Sequence, residues 1–106
     1  MRMWVRACAT DDVEEDDVIG VDIDGKAYAI YQSENREFYA SDGSCTHQRA
    51  LLCDGLVMAG VIECPKHNGR FDYRTGKALG APVIDDLRTY QTKVDGDGVY
   101  IQLDGR

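Results

Sequence analysis

The sequence predicts an all-β domain, on three observations. Asp24-Gly25 stands between two runs with alternating apolar residues, Val18 to Ile23 and Lys26 to Tyr31. An Asp-Gly pair in that setting is the strongest short-range hairpin signal. A second pair of such runs, Arg88 to Val94 and Val99 to Leu103, flanks Asp95-Gly96-Asp97-Gly98. No segment sustains the apolar period of a long amphipathic helix.

Taken in order, Met3 to Cys8 reads as a first short strand. The polar stretch Thr10 to Asp17 holds at most one helical turn, between Asp11 and Asp17. The Val18–Tyr31 hairpin follows, and the turn Ser33-Glu34-Asn35-Arg36 leads to a strand over Glu37 to Ala40. Glycine then recurs from about Ser41 to Pro82, at Gly43, Gly55, Gly60, Gly69, Gly76 and Gly80, and marks turns. The expected architecture is an antiparallel β-sandwich framework built from the two ends of the chain. A loop-rich subdomain over about 43–82 sits between them. No repeat or low-complexity linker divides the chain, so residues 1–106 are expected to form one domain. Trp4 and the tyrosines are expected in the core and strands.

Composition narrows the function. Hydrophobic residues make up 43% and charged residues 29%, as in a soluble globular protein. No apolar run approaches the roughly 18 residues of a membrane span. Met1 to Thr10 lacks the continuous apolar core of a secretory leader, so a cytoplasmic location is expected. Nineteen acidic against twelve basic residues give a net charge of −7. A nucleic-acid partner is excluded by that balance, because binding phosphates requires a basic face. An acidic surface suits partners with basic patches, or simply keeps the chain dissolved.

The chemistry lies in the cysteines and histidines. Of the four cysteines, Cys45 and Cys64 each precede a histidine closely, and these are the only two histidines in the chain. Cys45-Thr46-His47 and Cys64-Pro65-Lys66-His67 are separated by sixteen residues. Two disulfides would suit a secreted protein, whereas this pairing of thiol with imidazole suits metal ligation. A structural Zn²⁺ accepts two Cys and two His, although zinc fingers usually place both cysteines before both histidines.

Cys-x-His, a gap, and Cys-x-x-His resembles the Rieske iron–sulfur signature. The resemblance implies one [2Fe–2S] cluster, with Cys45 and Cys64 on one iron and His47 and His67 on the other. Neutral imidazoles in place of two thiolates make reduction easier, to about −150 to +300 mV against about −400 mV for plant-type ferredoxins. Rieske proteins of quinol-oxidising complexes carry an extra disulfide between the two loops and a serine and a tyrosine near the sulfurs. The matching positions here are Ala50 and Lys66, and Gly69 and Phe71. Losing hydrogen bonds to sulfur lowers the potential, so a value toward the low end of the Rieske range is expected.

The chain is most similar in kind to the Rieske ferredoxins of bacterial aromatic-ring-hydroxylating dioxygenase systems. The likeness includes Trp4-Val5, Lys66-His67-Asn68-Gly69-Arg70-Phe71-Asp72, Thr75-Gly76-Lys77 and Ala81-Pro82. It implies a Rieske fold and an electron carrier between a flavin-dependent ferredoxin reductase and a terminal oxygenase. With both histidines used as ligands, no second site of two histidines and a carboxylate can form, so the protein is not expected to be an enzyme. Two other functions fit the motif: the small Rieske subunit of a nitrite-reductase-like enzyme, and a cluster-based redox sensor.

Four further features are expected to support the site. Gly43 and Gly69 serve close approach to sulfur, or a positive φ, or are ordinary turn glycines. Gly80-Ala81-Pro82 resembles the loop covering the cluster, stiffened by the proline. Lys66 and Arg70 flank the tip as solvated charges or as contacts to a partner. Cys8 and Cys53 are expected to be small buried residues.

Overall fold

The computed structural model describes residues 2–46, 50–66, 69–81, 83 and 85–104. Among them the chain forms three antiparallel sheets and no α-helix. The first sheet has the order β1 (Arg2–Ala9), β10 (Gly98–Asp104), β9 (Thr92–Asp95). The second has the order β2 (Asp17–Ile23), β3 (Lys26–Gln32), β4 (Phe38–Asp42), β8 (Thr89–Tyr90). The third is β5 (Leu56–Met58), β6 (Val61–Glu63), β7 (Arg70–Asp72). Short 3-10 turns occupy Thr10–Asp12 and Leu52–Asp54. The first is the single helical turn expected in the acidic stretch.

Both hairpins close by turn chemistry that the sequence carries. Asp24 and Gly25 have φ of 53° and 82°, the two positive values that a type I′ turn requires. The Asp22 carboxylate accepts the Gly25 N–H at 3.0 Å. In the β9–β10 hairpin Gly96 alone has a positive φ, 60°, as in a type II′ turn.

The second sheet is the middle layer, and β3 is its spine. Tyr28, Ala29, Ile30, Tyr31 and Gln32 are all buried, so neither face of β3 meets water. Tyr28 and Ile30 pack with Cys8, Val13, Ala40, Val99 and Ile101 against the first sheet. Ala29 and Tyr31 point the other way, into a core with Leu52, Ile62, Phe71 and Tyr73. The two end segments therefore form the sandwich, and the third sheet packs on its far side.

The structure differs from the sequence reading in three places. The run Arg88 to Val94 is not one strand. It breaks at Gln91, so that β8 pairs with β4 and β9 with β10, while the Gln91 carbonyl accepts the Gln102 N–H at 2.9 Å. The chain changes sheets there. The middle segment, read as loops, contains β5, β6 and β7; at three residues each they are too short to show alternation. Trp4 is 39% exposed on β1 rather than in the core, with the Lys93 ammonium 4.6 Å from its ring centre. Tyr28, Tyr31 and Tyr73 are buried as expected.

Tyr31 and Tyr73 stack with ring centres 4.5 Å apart and planes 5° from parallel. Tyr39 meets Tyr73 edge-on at 5.7 Å. Burial pushes the Tyr73 phenol up to about 12, with the Asp16 carboxylate adding to the effect. Burial also raises Tyr31 strongly, against the opposing pull of its bond to Ser41. Both phenols are held neutral above the ordinary value of 10. Their contribution to stability is therefore complete below pH 10 and is lost as pH climbs through the folded values. Urea unfolding should show stability falling from about pH 10 upward, less steeply in Tyr73→Phe. Phenolate absorbance of the folded chain showing all six tyrosines ionised near 10 would contradict this.

Candidate metal centre

Two loops bring Cys45 and Cys64 together. The first leaves β4, and its base is closed where the Gly43 N–H donates to Ala27 O at 2.9 Å and the Leu52 N–H donates to Gly43 O at 2.8 Å. Within it the Cys45 N–H donates to Ala50 O at 2.9 Å. The second loop joins β6 to β7, and the Cys64 N–H donates to Gly69 O at 2.7 Å. Each cysteine thus closes its own loop by a bond to the carbonyl five residues on. The two loops offer their thiols from equivalent positions.

A third segment locks the pair. The Thr46 hydroxyl donates to Asp85 O at 2.9 Å, tying the first loop to it. Gly69 packs on Val83 so closely that a Cβ at 69 would lie 2.6 Å from Val83 Cγ1. Leu79 N–H donates to Arg70 O at 2.9 Å, and Leu87 N–H to Gly76 O at 2.7 Å, holding this segment to β7 and to the turn after it. Neither glycine approaches a sulfur, a correction to the expectation. Gly43 has no positive φ, and the close neighbours of Gly43 and Gly69 are Ala27 and Val83.

Cys45 is 6% and Cys64 1% exposed, and neither is in a disulfide. Both belong to one apolar cluster with Tyr31, Phe71 and Tyr73. Burial pushes the Cys64 thiol up, and the Lys66 N–H pulls it back. Two soft, water-shielded donors that meet without bonding to each other suit an iron held by thiolates. Among the described residues no third Cys, His, Asp or Glu joins them. His47, His67 and Pro82 lie outside the described residues.

The remaining site residues fall as follows. Ala50 is buried, Lys66 exposed, and Phe71 fully buried with no hydroxyl to offer. Arg70 is exposed but paired with Glu63 at 2.9 Å, so its charge is partly neutralised rather than free. Cys8 is buried in the first core. Cys53 is only half-buried, a correction to the expectation, and it fits under β2 because residue 20 is glycine: a Cβ there would lie 2.8 Å from its sulfur. Sequence reasoning missed Thr46 and Val83. Thr46 sits visibly inside the Cys-x-His motif, whereas nothing local marks Val83 as a floor for Gly69.

Fold and site together define a small antiparallel β-domain in which two loops bring a pair of buried, unlinked cysteines together. The model of the Rieske [2Fe-2S] domain matches residues 3–91. The naphthalene 1,2-dioxygenase system ferredoxin component of Pseudomonas putida is 47% identical over 100 residues, covering 94% of this chain and 95% of that protein. The Sphingomonas yanoikuyae B1 ferredoxin superposes with a TM-score of 0.88 at 32% identity, covering 94% of this chain and 98% of that one. A chain in the complex of reduced oxygenase and oxidized ferredoxin in carbazole 1,9a-dioxygenase gives 0.85 at 32% identity, covering 92% and 91%. This chain belongs to the Rieske [2Fe–2S] family, among the ferredoxin components of aromatic ring-hydroxylating dioxygenase systems. It is an electron carrier rather than a catalyst, and its cofactor is a Rieske [2Fe–2S] cluster.

The contact between Gly69 and Val83 is directly testable. Gly69→Ala should cost about 1–3 kcal/mol through overpacking against Val83. Adding Val83→Ala makes room, so the double variant should be more stable than the two separate losses predict. Strictly additive losses in urea unfolding would show that the two residues do not press on one another.

Proposed function

We propose that Cys45 and Cys64 hold one iron of the cluster and His47 and His67 the other. The observation that carries this reading is the meeting of two buried, unlinked thiols at equivalent points of two loops. In the sequence a histidine follows each, two residues after Cys45 and three after Cys64. The whole chain acts as one domain, with the cluster-holding subdomain over about 43–82.

When bound, the cluster accepts and returns one electron at a time. The chain's own residues provide the setting. Deprotonated Cys45 and Cys64 bind iron, and their burial keeps water off the sulfurs. The Lys66 backbone beside Cys64 opposes the rise that burial imposes on the thiol, and so favours its charged form. Phe71 and Gly69 supply no hydroxyl to add to it, which sets the potential toward the low end of the Rieske range.

Family membership supports the direction of flow. Electrons arrive from a flavin-dependent ferredoxin reductase and leave to a terminal ring-hydroxylating oxygenase, in transient complexes in the cytoplasm. A chain in the carbazole dioxygenase complex of oxygenase with ferredoxin shares this fold at 32% identity. Nothing in the chain's composition suits a nucleic-acid or membrane partner, and among the described residues no helix is long and apolar enough to cross a membrane.

Anaerobic purification followed by dithionite reduction tests the site. The reduced protein should give a rhombic EPR signal with average g below that of all-thiolate clusters, at about two irons per chain. Cys45→Ser and Cys64→Ser should abolish it, while Cys8→Ser and Cys53→Ser retain it. A colourless protein holding stoichiometric zinc after cluster reconstitution would overturn the reading.

A further inference from the structure

Asp42 lies at the end of β4, three residues before Cys45, and its N–H, its carbonyl and one carboxylate oxygen are all engaged. Its N–H donates to Arg88 O at 2.9 Å. Its carboxylate accepts from the Tyr90 hydroxyl at 2.5 Å and faces the Lys26 ammonium at 3.0 Å. Its carbonyl accepts from the Ser41 hydroxyl at 2.8 Å. The single Ser41 proton is used there, so the buried Tyr31 hydroxyl is the donor in its 2.8 Å contact with Ser41.

The clamp reaches from β4 to its neighbours on both sides. Lys26 comes from β3, which pairs with β4, and Arg88 and Tyr90 come from the strand segment on the other edge of β4. Lys26 also lies over the Tyr28 and Tyr90 rings, at 5.5 and 5.9 Å, which fixes the ammonium against the carboxylate. The next residue, Gly43, is held by Ala27 and Leu52, and a Cβ there would come within 2.8 Å of the Ala27 carbonyl carbon. The direction in which the first loop leaves the sheet is therefore set at residues 42 and 43.

An exposed Lys–Asp pair is ordinarily worth little. This carboxylate differs because its side chain is only 30% exposed and two donors from different strands share one oxygen. We infer that Asp42 is a positioning residue that fixes where the Cys45 thiol is presented. The inference rests on the proposed ligation by Cys45. It extends the site to a residue outside the ligand motif.

Cluster release from the holoprotein, followed as loss of visible absorbance under an iron chelator, reads this out. Asp42→Ala should release the cluster about tenfold faster, the low end of what supporting residues cost a metal site. It should also change the rhombic EPR splitting. Asp42→Asn keeps an acceptor for Tyr90 and should restore the splitting. Tyr90→Phe removes one donor without loss of packing and should shift both readouts the same way to a smaller degree, whether or not the alanine variant folds. Arg36→Ala, which breaks the exposed pair with Glu15, should change neither. A residue serving only overall stability would lower the unfolding temperature and leave the splitting untouched; that result overturns the inference. Unchanged release and splitting in Tyr90→Phe and Asp42→Ala also overturn it, with the ligand reading intact. A wild-type chain that takes up no cluster overturns the ligand reading and this inference with it.

Discussion

Burial of β3 on both faces is the constraint from which the rest of the molecule follows. A strand exposed on one side needs one partner layer; this one needs two. Tyr28 and Ile30 call for the sheet made by the chain's two ends, and Ala29 and Tyr31 call for the segment between them. The segment that carries Cys45 and Cys64 is thus part of the hydrophobic architecture rather than an appendage. Cys45 and Cys64 belong to the same apolar cluster as Tyr31, Phe71 and Tyr73. Burial of the thiols and burial of the strand are one packing event.

Three connections set the site within this frame. Backbone bonds from each cysteine close its loop, Thr46 and Val83 join the loops to a third segment, and Asp42 sets the exit from β4. The backbone of both cysteines is held by these contacts, which is what a carrier needs if its geometry is to change little between charge states. Small rearrangement on gaining or losing an electron keeps transfer fast.

Much of this was legible in the sequence, for identifiable reasons. Asp24-Gly25 and Gly96 carry local backbone demands that reveal their hairpins without any tertiary context. Cys45 and Cys64 stand out because each is followed by a scarce histidine. Legibility failed where long-range contacts decide. The break at Gln91 exists only because one run of residues serves two sheets, and alternation cannot show a change of partner. β5 to β7 are too short to have a period and are defined by pairing with one another. Trp4 looked like core because it is aromatic, yet its strand turns that side chain outward beneath Lys93. Val83 and Asp42 act through contacts far along the chain, and no motif could have marked them.

The sheet order has a further consequence for how copies of this protein treat one another. β2 is an outer strand of the middle sheet, the position from which a strand can template pairing with another chain. Two carboxylates, Asp17 and Asp22, lie on that strand, and the acidic stretch from Asp11 to Asp16 runs directly into it. On the first sheet, β1 is likewise an outer strand, and its register shifts between Arg6 and Cys8, which spoils a flat edge. Edge-to-edge growth is discouraged by repulsion in one place and by irregularity in the other. An electron carrier gains from meeting its own kind without sticking.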